Sequence, residues 1–143
     1  MSGSRHLDSR AFVSLARVRA YYDDLNSGEA DRVARHFCAD AVHFYTRRDP
    51  HRGARAIAEN AALGVEHLRA RWTLENAVGD DEQVAIEWSM AFDHPRTGAR
   101  MLDRGAEFFL FEGGLIREVR AYYGARGGDL RGFDHAARGH TVL

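Results

Sequence analysis

One carboxylate lies on the apolar side of a predicted strand in the C-terminal half of the chain. In the segment RMLDRGAEFFLFE, residues two apart share a face of a pleated strand, so Glu107 shares its face with Phe109 and Phe111. Apolar surroundings desolvate a carboxyl group and raise its pKa. Glu107 is therefore a candidate acid or base, and the alternative is an ion pair with Arg71 or Arg120.

An imidazole and a phenol alternate on another short predicted strand. The segment VHFYT places His43 and Tyr45 on one face. His43 is a candidate base because the ordinary pKa of histidine lies near working pH, and the alternative is a structural histidine with one hydrogen bond. Asp103 has the same parity as Glu107 and is a secondary binding candidate, although a strand irregularity near Gly105 would change its face.

Helices followed by long strands must hold these groups. Helical spacing and capping residues predict helices at Ser9 to Leu25, about Glu29 to Phe37, and Ala54 to Leu63 with Gly64 as the C-cap. Alternation predicts strands at Val42 to Arg47, Leu68 to Val78, and three more between Val84 and Tyr123, with RRDPHRG as a loop. This order predicts an α+β fold whose helices cover one face of the sheet.

Composition limits the classes of function. The 143 residues predict one domain, with a core at about 9–123 and a tail at 124–143. Twenty basic and 21 acidic residues give a net charge of −1, which offers no case for nucleic acid or an anionic membrane as partner. Every basic residue is Arg, which excludes lysine Schiff-base chemistry. One cysteine, no long apolar run and no signal-peptide core predict a soluble cytoplasmic protein without a disulfide.

Four segments in order resemble a known superfamily. They are AYYDDLNSGEADRVARHFCADAVHFY, RGARAIAE, VAIEW and FFLFEGGLIREVRAYY. Together they are similar to the nuclear transport factor 2-like superfamily, and within it to the SnoaL-like and ketosteroid isomerase-like proteins. The resemblance implies a cone-shaped, curved, mostly antiparallel sheet wrapped around N-terminal helices, which is a cystatin-like α+β barrel with a deep pocket at one end. It also implies a homodimer formed through the outer sheet face.

The resemblance assigns expected roles to individual residues. An acid at the place of Glu107 donates a hydrogen bond to a developing oxyanion in the isomerases, and an aspartate there resembles the acid/base of SnoaL-like cyclases. Tyr21 matches a phenol that faces the cavity, whereas Tyr22 is expected to pack on the opposite side. The isomerases carry a proton-shuttling aspartate where this chain has Tyr45, so their route to double-bond isomerisation is doubtful and His43 becomes the expected replacement base.

The resemblance also implies which side chains line the pocket. The Asp-Arg-Asp set of limonene epoxide hydrolase-like members falls on Trp88, Met90 and Ala121, so that chemistry is not expected. The expected lining is mostly apolar, and ordinary core is the alternative for each member. It comprises Tyr45, Trp88, Met90, Asp103, Phe109, Val119, Ala121 and Tyr123.

These observations favour a cofactor-independent enzyme that transfers a proton on an apolar, carbonyl-bearing substrate, by isomerisation, cyclisation or dehydration. Glu107 and Tyr21 would stabilise charge on oxygen, and His43 would move the proton. The alternatives are a non-catalytic hydrophobic-ligand-binding or accessory dimer module and a purely structural dimer. His67, Arg69 and Arg71 are weaker candidates for holding an anion. No metal site is predicted, and the histidine-containing tail is expected to cover the cone mouth or a partner subunit.

Overall fold

A curved six-stranded sheet covers the helices in the computed structural model, which describes residues 9–124 and residue 133. The helices are α1 Ser9–Leu25, α2 Ala30–Ala34 and α3 Ala54–Leu68. The strands are β1 Phe37–Phe44, β2 His51–Arg52, β3 Arg71–Gly79, β4 Gln83–Asp93, β5 Arg100–Glu112 and β6 Leu115–Tyr123. The strand order is β2-β1-β6-β5-β4-β3, and only the β1–β6 pair is parallel. The predicted α+β, mostly antiparallel fold is confirmed.

Helix α1 has the predicted bounds and packs one face against the sheet. Val18, Tyr21, Tyr22 and Leu25 are buried at helical spacing and belong to the hydrophobic core. The end of the helix is fixed by Asn26, whose side-chain amide donates to the Trp72 carbonyl at 2.8 Å and accepts from the Trp72 N–H at 2.7 Å. This pair of hydrogen bonds ties the end of α1 to β3.

Two helix ends differ from the prediction. The second helix was expected to reach Phe37, but α2 ends at Ala34 and Phe37 begins β1, where it pairs with Ile116. Strand pairing therefore outweighs the local helical period. Helix α3 continues past Gly64, which is not the cap; Arg69 takes that place with φ 49°. Gly64 instead admits the Trp72 ring, because a Cβ there would lie 3.2 Å from Trp72 Cη2.

The segment predicted as a loop contains a short strand. β2 pairs with β1 through Val42↔Arg52 and His43↔His51, and β1 ends at Phe44 rather than at Arg47. Beyond β1, the Thr46 hydroxyl donates to the Ala121 carbonyl at 2.8 Å and keeps the chain beside β6.

Two predictions stay open after the fold is described. The tail histidines, His135 and His140, lie outside the described residues. On the outer sheet face, Phe44, Leu102 and Tyr122 are exposed, and the homodimer through that face stays a prediction. No helix among residues 9–124 is long and apolar enough to cross a membrane.

Candidate functional site

A cavity of about 540 Å³ lies between the sheet and helices α1 and α3. Its inner lining includes Tyr21, His43, Tyr45, Trp88, Met90, Asp103, Glu107, Ala121 and Tyr123. The exposed members of the lining are Arg47, Arg48, Leu63, His67 and Gly124, and we call them the open end. The volume of the cavity, and its lining of apolar side chains with a few polar groups, are typical of a small-molecule site.

Glu107 is a buried carboxyl on the cavity lining. It pairs with Ile86 on β4 and Ala121 on β6, so apolar neighbours flank it on both sides. Burial raises its pKa from 4.5 to about 8. Its Oε2 atom has no hydrogen-bond partner among the described residues. The expected alternative of a pair with Arg120 is wrong, because Arg120 Nη1 donates to Glu118 Oε2 at 2.5 Å.

Phenols surround this carboxyl. Tyr21 lines the cavity, and burial together with the nearby Glu107 raises its pKa well above the ordinary value. Tyr22, which was expected on the opposite side, is also beside Glu107: its hydroxyl lowers the carboxyl's pKa, although it reaches no hydrogen-bonding geometry. Burial raises the pKa of Tyr45 to about 12. All three hydroxyls therefore stay protonated and can donate near neutral pH.

His43 is present in the lining but is not the base that its ordinary pKa predicts. It is 6% exposed, and its ring stacks on Tyr45 with 4.1 Å between centroids. Nδ1 lies 3.3 Å from the Phe44 carbonyl, which can only accept, so Nδ1 carries the proton. Burial lowers the pKa of His43 to about 3. The imidazole is therefore neutral at pH 7 and accepts protons weakly.

Trp88 fits over a glycine on the neighbouring strand. It pairs with Gly105, and a Cβ at Gly105 would lie 2.5 Å from Trp88 Cζ2. The Trp88 Nε1–H is buried without a hydrogen-bond partner among the described residues. Because β4 and β5 pair in continuous register, Asp103 keeps the parity of Glu107 and lines the cavity beside its partner Met90.

Two residues expected in the lining belong to the closed core instead. Phe109 and Val119 pair with each other across β5 and β6, and both are 0% exposed. Their alternation was read correctly, but the core fills that end of the cone with the Tyr21 ring, whose centroid lies 5.9 Å from that of Phe109. The cavity begins one pleat further along, at Glu107 and Ala121.

The basic groups of the open end, which the sequence analysis did not single out as site residues, lie beside an amide of α3. The Arg48 guanidinium lies over the Tyr45 ring, with Cζ 4.2 Å from the centroid, and Nη1 donates to Asn60 Oδ1 at 3.3 Å. The Asn60 amide in turn lies 3.4 Å from the Tyr45 hydroxyl.

Of the weaker candidates for binding an anion, His67 lines the cavity, whereas Arg69 pairs with Asp93 at 2.9 Å. Within residues 9–124 and 133, no three His, Cys, Asp or Glu side chains converge as metal ligands would.

This geometry and the comparisons with known proteins define the class. A curved sheet around α1, with a cavity at one end, is the nuclear transport factor 2-like fold. The sequence profile of the SnoaL-like domain matches residues 18–119, well over half of the chain. The chain therefore belongs to the SnoaL-like family. No curated protein matches it.

Solved structures share this fold. A protein of unknown function with a cystatin-like fold from Methylobium petroleophilum PM1 is 30% identical, with 93% of each chain covered and a TM-score of 0.71. An LEH-like epoxide hydrolase from M. tuberculosis is 18% identical, with 80% of this chain and 84% of that chain covered and a TM-score of 0.69. The epoxide hydrolase/cyclase-like enzyme SalBIII has a role in pyran ring formation in the polyether salinomycin. It is 16% identical, with 78% of this chain and 91% of that chain covered and a TM-score of 0.68. At these identities the two enzymes show the fold alone.

Proposed function

We propose that this protein is a cofactor-independent enzyme that transfers a proton on an apolar, carbonyl-bearing small molecule. The observation that carries the proposal is Glu107, a carboxyl buried in the cavity lining with its pKa raised to about 8 and no cationic partner within the described part of the chain. A group with a pKa near the working pH is the most effective general acid or base. The Tyr21 phenol beside it supplies a protonated donor.

The proposed step is enolisation. The ionised Glu107 carboxylate takes a proton from the carbon next to the carbonyl, the C–H bonding pair becomes the enolate double bond, and negative charge moves to oxygen. Tyr21 donates a hydrogen bond to that oxygen. Return of the proton from Glu107 to another carbon completes an isomerisation. In a cyclisation, the enolate carbon attacks a second carbonyl carbon of the same molecule, the C=O π pair moves to its oxygen, and that oxygen takes the proton from Glu107. In a dehydration, the enolate re-forms the carbonyl, the bond to a β-hydroxyl breaks, and the hydroxyl leaves as water with the proton from Glu107.

The roles differ from those expected from the sequence, because His43 has a pKa of about 3. The proton-transferring role moves from His43 to Glu107, and His43 becomes a neutral hydrogen-bonding group. The pH dependence of the catalytic rate distinguishes two roles for Glu107. If the ionised carboxylate acts as the base, the rate rises with pH and levels off above about pH 8. If the protonated carboxyl acts as a hydrogen-bond donor, the rate falls above that pH.

Hydrogen–deuterium exchange tests the proposed step without knowledge of the substrate. We expect the protein to catalyse exchange of the α-protons of an apolar ketone such as 2-tetralone in D₂O, followed by NMR. Glu107→Gln should lower this rate by about 10²–10⁴. Glu59→Gln removes an exposed glutamate of α3 and should leave the rate unchanged. Equal exchange rates for wild type and Glu107→Gln, in folded protein, would overturn the proposal.

A second candidate function is a non-catalytic carrier of an apolar ligand. The lowered pKa of His43 favours it, because the histidine buried beside Tyr45 then cannot act as a base near neutral pH. A carrier predicts that native mass spectrometry of the purified protein finds a bound molecule and that the same molecule is recovered unchanged after incubation. The cytoplasmic location stays a prediction from the sequence.

A further inference from the structure

We infer that the ligand of this cavity carries a carboxylate, which the guanidinium groups of Arg47 and Arg48 bind at the open end. Both arginines are exposed and line the cavity. Among the described residues, no carboxylate lies within ion-pairing distance of either one. The inference deepens the proposed function, since it adds an anionic group to the apolar carbonyl compound.

The charge distribution along the cavity supports an anion at this end. Arg47 and Arg48 follow β1, whereas the Asp103 carboxylate lies on β5, with β6 between them. Deeper in the cavity, Glu107 is protonated and His43 is neutral at pH 7, because burial disfavours both charged forms. The β1 side of the cavity therefore carries net positive charge at its open end and none at its inner end.

Arg48 is held in place before a ligand arrives. Its guanidinium stacks over Tyr45, gives one N–H to Asn60 and interacts with the Tyr45 hydroxyl. A guanidinium has further N–H donors, which an incoming anion can accept from. A planar guanidinium suits two parallel hydrogen bonds to a carboxylate, and its fixed position reduces the entropy that binding must remove.

The strand register gives the separation between the backbone of Tyr45, whose ring lies under Arg48, and the backbone of Glu107. His43 pairs with Val119 and Phe44 with Arg120, so Tyr45 continues opposite Ala121, which pairs with Glu107. Two strand spacings place the backbones of Tyr45 and Glu107 on the order of 10 Å apart. The carboxylate site at Arg48, whose guanidinium lies over the Tyr45 ring, and the carbonyl site at Glu107 are therefore two separate places along the cavity.

A matched pair of probes tests the inference. 2-Naphthylacetate and its neutral amide, 2-naphthylacetamide, have the same shape and differ in charge. Titration calorimetry in the Glu107→Gln variant measures binding without any turnover. We expect the carboxylate to bind about tenfold more tightly than the amide, as for a charge-assisted hydrogen bond. Arg48→Gln should remove most of this preference and leave the affinity for the amide unchanged.

Two further variants separate charge from geometry and from fold. Arg48→Lys keeps the charge and should keep part of the preference. Arg55→Gln removes an exposed arginine that pairs with Asp31 at 2.8 Å, away from the cavity, and should change neither affinity. Equal affinities for the two probes, a preference that survives in the Arg47→Gln/Arg48→Gln double variant, or failure of both probes to bind would each overturn the inference. Ketone exchange by the wild type is measured separately, so the two proposals can fail independently.

Discussion

Replacement of Glu107 by glutamine should change how the stability of the protein depends on pH. Glutamine has the shape of the protonated carboxyl group and cannot ionise. The pKa of Glu107 is about 8 in the folded protein against an ordinary value of 4.5. The unfolded chain therefore releases this proton from about pH 4.5, whereas the folded chain retains it almost to pH 8. Wild-type stability must fall as the pH rises through this window.

The magnitude follows from the two pKa values. Each pH unit between them costs the wild type about 1.4 kcal/mol of unfolding free energy. Between pH 5 and pH 8, the loss through Glu107 amounts to roughly 3–4 kcal/mol. Since whole domains are stable by about 5–15 kcal/mol, this loss is a large fraction of the total.

Urea unfolding followed by tryptophan fluorescence, at several pH values from 5 to 8, measures the effect. We expect wild type and Glu107→Gln to differ little near pH 5 and the variant to be more stable by roughly 3 kcal/mol or more at pH 8. Glu59→Gln, on the exposed face of α3, should follow the wild type. Parallel pH curves for wild type and Glu107→Gln would refute the reasoning, because they would mean that the carboxyl ionises equally in both states.

Three other substitutions test the elements that surround the cavity. His43→Gln should remove the wild-type loss of stability that develops as the pH falls from 6.5 towards 3, roughly 2 kcal/mol at pH 5; acid unfolding curves measure it. Gly105→Ala places a Cβ 2.5 Å from Trp88 Cζ2, so it should cost about 1–3 kcal/mol, shift the tryptophan emission, and lower the melting temperature. Asn26→Ala removes two hydrogen bonds to the Trp72 backbone and should cost roughly 1–3 kcal/mol in urea unfolding, with an intermediate loss for Asn26→Asp.

Alternation located Glu107 correctly because its strand is regular. β4 and β5 pair without a bulge from Gln83↔Leu110 to Asp93↔Arg100, so counting by twos gives the correct face along the whole strand. The bounds of α1 were also predicted correctly, because its buried residues between Ser14 and Leu25 recur at helical spacing. Where two elements compete for the same residues, as at Phe37, the local pattern fails because a partner strand distant in sequence decides the outcome.

The burial of individual side chains and their proximity to Glu107 were harder to predict than the strand face on which each residue lies. Tyr22 was expected to face away from Tyr21, yet both rings are buried, and their centroids are 5.5 Å apart. A helix that packs inside a curved sheet meets protein over a wide arc, so adjacent helical positions can approach the same carboxyl. The pKa of His43 is also a tertiary property, because desolvation by surrounding elements sets it rather than its own strand. Arg47 shares the parity of His43 and Tyr45 in the predicted strand, but β1 ends earlier, at Phe44. Arg48 fell in the segment predicted as a loop, where alternation gives no face.

The energetic cost of Glu107 bears on which function is supported. A purely structural dimer with a filled core would gain stability at pH 8 from a neutral residue at this position and would have no cavity of about 540 Å³ beside it. The protein instead keeps an ionisable carboxyl, a buried phenol and open volume together, each of which costs stability on its own. A bound carbonyl compound would offset these costs at once, because it fills the volume and accepts hydrogen bonds from the protonated carboxyl and the phenol. Ligand binding should therefore stabilise the protein, and a ligand that binds only the protonated carboxyl should do so more strongly below pH 8 than above it.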